Sequence, residues 1–224
     1  MMSPKHKHSV NHCSTQWLQK KGQLVCKSDH IKFKHLRAKI TKFIPREIEF
    51  FKLVKFLQSE HKLAHYRGLP GVGKTYLVRN VLHYLCERKY FSAGILYFPL
   101  NEMKRTDQFL LEIRDKVVSF FKMNYCDKFD FKKDYSTIDD IQDFLVDFFE
   151  DKALQQFELI KKKNFSQSKD RRFLLVLDNC ESLIDHCGEQ FRGLLSDFTD
   201  QCKMLKILVV SRNELGSTLE GEEL

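Results

Sequence analysis

A chain of 224 residues is long enough for one α/β domain with an appendage, and its 42% apolar and 30% charged residues are ordinary for a globular protein. The net charge of +8 is carried by residues 1–42, which hold ten Lys and Arg against one acid. No apolar run is long enough for a membrane span or a signal sequence, and seven cysteines without zinc-site spacing favour free thiols. We therefore expect a cytoplasmic protein that makes no membrane contact.

The basic N-terminal arm, residues 1–42, allows two interpretations. Such an arm binds nucleic acid when its cations contact phosphates, but more often it is simply solvated, and we favour the second interpretation. We expect the arm to be partly disordered or helical, with helix from Ile31 onward.

Strands and helices alternate after the arm. In chain order we predict a helix that starts at Pro45–Glu47, a strand over 62–66, a helix over 74–88, a strand over 94–100 and a helix over 106–123. A capping box at Thr137–Asp140 opens a helix to about Lys162, and a buried strand over 173–177, a helix over 189–198 and a strand over 206–210 follow. This order predicts a three-layer α/β sandwich around a mostly parallel sheet.

A phosphate-binding loop lies between the first predicted strand and the helix after it. The sequence Gly68-Leu-Pro-Gly-Val-Gly-Lys-Thr75 has glycines where main-chain N–H groups must approach phosphate oxygens, a lysine for the β- and γ-phosphates and a hydroxyl for Mg²⁺. It predicts a P-loop NTPase. The candidate nucleotide ligands are Gly68, Pro70, Gly71, Val72, Gly73, Lys74, Thr75 and Tyr76.

A second acidic motif follows about a hundred residues later. The apolar strand that ends in Asp178 places a carboxylate at the carboxyl edge of the sheet, where we expect it to hold Mg²⁺ through water, opposite Thr75. Many ATPases have an acid at the next position as the base for water, but this chain has Asn179, which cannot take a proton. Glu181 is the nearest substitute, or it caps the next helix. Slow hydrolysis follows as a prediction.

A third contact is predicted at the end of the last strand. If that strand lies between the P-loop strand and the Asp178 strand, Arg212 projects beside the γ-phosphate, where its guanidinium distinguishes triphosphate from diphosphate.

Four motifs in order resemble the NB-ARC group of the STAND class of P-loop ATPases. They are Phe43–Glu49, the P-loop, Leu174–Glu181 and Leu208–Arg212, and the resemblance covers residues 43–215. Pro45 stands where the family has glycine, and Asn179 departs from the commoner Asp-Asp form. The resemblance implies that Ile44 and Arg46 contact adenine and that the ligands are ATP or ADP with Mg²⁺.

The resemblance also implies a signalling switch that oligomerises or engages signalling partners when ATP replaces ADP. It implies that the domain of residues 43–224 is incomplete at its C-terminus, because helical and winged-helix domains follow the sensor arginine in that family. Two other functions stay open. One is an AAA+-like remodelling ATPase with faster turnover, and the other is a nucleic-acid-binding regulator that uses the basic arm.

Overall fold

The computed structural model describes residues 17–20, 23–26, 46–88, 90–91, 93–124, 137–150, 172–215 and 222–223. The following elements are given in chain order: β1 (Trp17–Lys20), β2 (Gln23–Cys26), α1 (Glu47–Gln58), β3 (Leu63–Arg67), α2 (Lys74–Glu87), β4 (Gly94–Pro99), α3 (Thr106–Asn124), α4 (Ile138–Phe149), β5 (Phe173–Asp178), α5 (Glu181–Gln201), β6 (Leu205–Ser211) and β7 (Glu222–Glu223). In the described parts no helix is both long and apolar enough to cross a membrane.

A parallel sheet organises the domain, in the order β4-β5-β6-β3-β7. The strand β6 pairs with β5 on one side and with β3 on the other, so it lies between the P-loop strand and the Asp178 strand, which is the condition set for the Arg212 prediction. The two-residue β7 pairs with Ala64 and His65 of β3 and lies at the sheet edge. All three carboxyl ends that matter for the site, those of β3, β5 and β6, therefore meet at one edge of the sheet.

Helices cover both faces of this sheet, so the predicted three-layer α/β architecture is confirmed. Alternate residues of β5 point to opposite faces: Leu174 and Val176 pack with α1 and α2, whereas Leu175 and Leu177 pack with α3, α4 and α5. The abundant phenylalanine fills this core. Among the described residues, eight of the ten largest fully buried side chains are Phe: Phe91, Phe98, Phe109, Phe148, Phe149, Phe173, Phe191 and Phe198.

The predicted helix starts agree with the structure where polar signals mark them. Arg46 occupies the N-cap position of α1, and Glu47 and Glu49 lie in the first turn, where carboxylates interact favourably with the positive end of the helix dipole. Thr137 and Asp140 form the predicted capping box at the start of α4, each accepting a hydrogen bond from the other's backbone N–H.

Three predictions of local structure differ from the structure or fall outside its described part. The helix α4 ends at Phe149, where the Glu150 N–H bonds to the Val146 and Phe148 carbonyls, and the predicted continuation to Lys162 lies outside the described residues. The helix α5 begins at Glu181 rather than Glu189, because the non-helical Cys187 (φ −139°, ψ 33°) and polar neighbours interrupt its apolar pattern. In the arm, β1 and β2 pair as an antiparallel ladder too short to show periodicity, and the predicted helix from Ile31 lies outside the described residues.

Candidate nucleotide-binding site

The glycine-rich loop lies at the carboxyl end of β3 and opens α2. Gly71 and Gly73 have φ values of 79° and 87°, a region that glycine enters without steric cost. Gly73 is the N-cap of α2, and its carbonyl accepts the first helical hydrogen bond, from Leu77 N–H at 3.0 Å. The Gly68 N–H bonds to the Ser211 carbonyl at 3.3 Å, which ties the loop to β6. The amides of the first turn of α2 have no intrahelical partner, and this arrangement suits an anion.

The ammonium group of Lys74 is folded back onto the same loop. It donates to the Gly68 carbonyl at 2.6 Å and to the Leu69 carbonyl at 3.1 Å, and the residue is only 8% exposed. The positive charge is therefore held beside these amides, which is the position from which a lysine binds phosphate.

Thr75 and Asp178 meet although 103 residues separate them in the sequence. The Thr75 hydroxyl donates to Asp178 Oδ1 at 3.1 Å. Asp178 is fully buried at the end of β5, and its second oxygen accepts a hydrogen bond from the Tyr97 hydroxyl. Burial, and then the charge of Asp178, raise the pKa of Tyr97, so the phenol keeps its proton and remains a donor.

These groups fit a magnesium–nucleotide complex by their chemistry. Mg²⁺ prefers hard oxygen ligands, and the Thr75 hydroxyl and Asp178 carboxylate supply two at adjacent positions. Polyphosphate needs N–H donors and a cation, which the loop and Lys74 supply. Thr75 and Asp178 are therefore the residues able to hold the metal.

The turn after Asp178 is joined to the turn after β4. Asn179 has a φ of 61°, and its Nδ2 donates to Asn101 Oδ1 at 2.7 Å. The Leu100 N–H donates to the Asp178 carbonyl at 2.7 Å. Sequence reasoning missed Tyr97 and Asn101, because the only signal for them is their position at the end of a strand beside β5.

Glu181 and Arg212 contact each other across the same edge. Glu181 Oε1 accepts from the Arg212 backbone N–H at 3.0 Å, and it lies 3.4 Å from Arg212 Nε. Glu181 is 9% exposed and is the first residue of α5. The Glu181 carboxylate thus holds Arg212 in place, and the guanidinium stays half-exposed at the edge of the cleft.

Arg46 reaches the loop from the start of α1. Its Nη1 donates to the Val72 carbonyl at 2.7 Å, and its Nε and Nη2 donate to Glu49. This places Arg46 beside the loop at Val72. Ile44, the other predicted adenine contact, lies outside the described residues.

A cleft of about 750 Å³ collects most of the predicted residues. Eight of the predicted site residues line the cleft: Pro70, Gly71, Gly73, Lys74, Thr75, Tyr76, Glu181 and Arg212. Three others, Gly68, Val72 and Arg46, do not line it. Asp178 is buried behind Thr75, to which it is hydrogen-bonded. The cleft also has five lining residues that were not predicted as ligands: Arg79, Asn101, Glu102, Asn179 and Ser182.

Comparison with known proteins gives a family and a fold. Residues 47–212 match the family model described as Nephrocystin 3, N-terminal. The sequence matches no curated protein.

Two solved structures have a similar fold. Cdc6p from Pyrobaculum aerophilum is 17% identical with a TM-score of 0.52, over 79% of this chain and 41% of that one. ORC1 from Aeropyrum pernix, solved in complex with DNA, is 20% identical with a TM-score of 0.50, over 82% of this chain and 42% of that one. The chain thus spans about two fifths of the length of these proteins. Together with the loop geometry, the comparisons identify a P-loop NTPase domain.

Proposed function

Because this chain belongs to the nephrocystin 3 N-terminal family, a family of P-loop NTPase fold, we propose that it is a nucleotide switch that binds ATP and ADP with Mg²⁺. The observation that carries this proposal is the 3.1 Å contact between Thr75 and Asp178, beneath a glycine loop that also holds Lys74. Thr75 and Asp178 are far apart in sequence, and a bound Mg²⁺–triphosphate would need both of them at this position.

Each group has a distinct role in binding. The N–H groups at the start of α2 and the Lys74 ammonium bind the phosphates, and Thr75 and Asp178 hold Mg²⁺, which neutralises phosphate charge. Arg46 is proposed to lie beside adenine together with Ile44, since it already bonds to the loop at Val72. The adenine preference is supported by the resemblance to NB-ARC proteins, an assignment narrower than the matched family.

The switch itself is proposed to centre on Arg212. Its guanidinium lines the cleft and is oriented through Glu181, so it would bind the γ-phosphate of ATP, whereas ADP has no phosphate at that position. Hydrolysis is expected to be slow, because the amide of Asn179 occupies the position of the usual base. The two nucleotide states would then differ at the end of β6, and assembly or partner binding would respond to that difference.

The decisive experiment measures nucleotide affinity by calorimetry with Mg²⁺–ADP and a slowly hydrolysed ATP analogue. Lys74→Ala removes charge-assisted hydrogen bonds worth about 1.5–3 kcal/mol, so we expect roughly 10- to 100-fold weaker binding. Thr75→Ala should abolish the dependence of affinity on Mg²⁺. Lys55→Ala, on the exposed face of α1, is the matched control. Unchanged affinity in a folded Lys74→Ala variant would show that the cleft is not a phosphate site.

An AAA+-like remodelling ATPase is the second candidate, and the fold shared with Cdc6p and ORC1 favours it. Such an enzyme couples rapid hydrolysis to mechanical work, whereas a switch holds its nucleotide. A kcat well above roughly 1 s⁻¹ would favour the remodelling enzyme. A basic arm that binds nucleic acid would instead give an affinity that falls steeply with salt and disappears when residues 1–42 are deleted.

A further inference from the structure

The turn that follows β4 carries an acidic residue in an unusual backbone conformation. Glu102 has a φ of 63°, and among the described residues it shares a positive φ with only one other residue that is not glycine, Asn179. The conformation costs about 1–2 kcal/mol for a residue with a Cβ atom. Both residues line the cleft. Strained backbone is thus concentrated at the site rather than spread over the surface.

Hydrogen bonds fix this turn to the strand that carries Asp178. The Leu100 N–H donates to the Asp178 carbonyl, the Met103 N–H closes the turn onto the Leu100 carbonyl at 3.2 Å, and Asn101 accepts from Asn179. The Glu102 position is therefore held by contacts to β5 on one side and by its own turn on the other. Its placement at the cleft follows from this scaffold.

The other acids of the site are already engaged. Asp178 uses one oxygen for Thr75 and the other for Tyr97, and Glu181 accepts from Arg212 while it is 9% exposed. Glu102 is exposed, and its carboxylate makes no hydrogen bond or ion pair with the described residues. Of the two glutamates that line the cleft, it is the one whose oxygens are available to a water molecule.

On the basis of the proposed function, we propose that Glu102 is the general base for hydrolysis, in place of the acid missing at Asn179. The oxygen of a water molecule forms a bond to the γ-phosphorus, and the bond from that phosphorus to the β–γ bridging oxygen breaks. The electron pair of that bond leaves with ADP. The water proton passes to the Glu102 carboxylate and then to solvent. Glu181 is a positioning residue that acts through Arg212.

The test compares Glu102→Gln, Glu102→Asp and Glu181→Gln in the full chain. Single-turnover hydrolysis of Mg²⁺–ATP is followed, and the nucleotide that stays bound is identified by chromatography. General bases contribute about 10²- to 10⁴-fold, so Glu102→Gln should hydrolyse at least roughly 100-fold more slowly, with an ADP affinity within about twofold of wild type. It should retain ATP where wild type retains ADP. Glu102→Asp should keep more of the rate.

Glu60→Gln is the control, since Glu60 is exposed and its ion pair with Arg172 is 4.0 Å long. An unchanged rate in Glu102→Gln, or a 100-fold loss in Glu181→Gln alone, would overturn the assignment. So would a Glu102→Gln variant whose affinity and rate fall together, because that result marks a binding residue. A wild-type chain that binds nucleotide without hydrolysing it overturns only the base, whereas a chain that binds none overturns the proposed function itself.

Discussion

Replacing Tyr97 with phenylalanine tests the buried end of the site without changing its shape. The Tyr97 side chain is 3% exposed, and its hydroxyl donates to an Asp178 carboxylate that solvent does not reach. Without that donor, Asp178 Oδ2 is a buried charged acceptor with no replacement from water. Hydrogen bonds to charged groups are worth about 1.5–3 kcal/mol, so we expect the free energy of unfolding to fall by roughly 2 kcal/mol. For a chain of this size that corresponds to a Tm lower by roughly 4–8 °C.

Tyr90→Phe is the matched control for this measurement. Its hydroxyl also makes hydrogen bonds, to the Gln58 carbonyl at 3.0 Å and with Arg172 at 3.3 Å, but the first of these is solvent-exposed. Water can replace the lost partner there, so the loss should be about 0.5 kcal/mol or less. Urea unfolding at neutral pH gives both numbers. If Tyr97→Phe costs no more than Tyr90→Phe, the hydroxyl is not holding the Asp178 carboxylate.

We also expect Tyr97→Phe to change the pH dependence of stability at alkaline pH. Burial raises the pKa of Tyr97 above its ordinary value of 10.0, so the unfolded chain loses this proton at lower pH than the folded protein does. The contribution of Tyr97 to stability is therefore fully present below pH 10 and is lost as the pH rises through the folded pKa. The stability difference between wild type and Tyr97→Phe should accordingly shrink above pH 10, and a constant difference would refute the burial argument.

Three further variants test local structure by urea unfolding. Thr137→Ala breaks the capping box of α4 and should cost about 0.5–2 kcal/mol, a result that an unchanged midpoint would contradict. Gly73→Ala should cost about 1–2 kcal/mol from backbone conformation alone, because φ is 87° and a Cβ atom there meets nothing within 4 Å. Burial lowers the pKa of Lys206 to about 8 from 10.5, so the protein takes up a proton when it unfolds between pH 8 and pH 10.5. Rising pH in that range should therefore increase the free energy of unfolding of wild type relative to that of Lys206→Met.

The parts of the fold that sequence predicts well are those with a local cause. The strand β5 is apolar from Phe173 to Leu177 because both of its faces are covered, and the capping box of α4 depends on two residues three positions apart. The glycine loop is also predicted from local sequence alone, since the spacing of its glycines is tied to the backbone conformation of the loop itself. These signals survive without knowledge of tertiary contacts.

Other features arise only when strands are placed side by side. Tyr97 contacts Asp178 because β4 pairs with β5 and puts Pro99 opposite Asp178, a register that the sequence of β4 does not specify. Glu102 follows the same strand, and the sequence around it does not predict its positive φ. The start of α5 was hidden by the break at Cys187, whose Sγ bonds to the Lys104 carbonyl from another part of the chain.

The two carbonyls that accept hydrogen bonds from Lys74 affect how this loop binds a phosphate. The ammonium already has oxygen partners, so an incoming phosphate exchanges them rather than rescuing an isolated buried cation. The loop's own carbonyls therefore spare Lys74 the electrostatic penalty of an unpaired buried cation. What Lys74 contributes to nucleotide affinity is therefore the difference between its hydrogen bonds to phosphate and its hydrogen bonds to the two carbonyls. Such a difference allows a nucleotide to be released as well as bound.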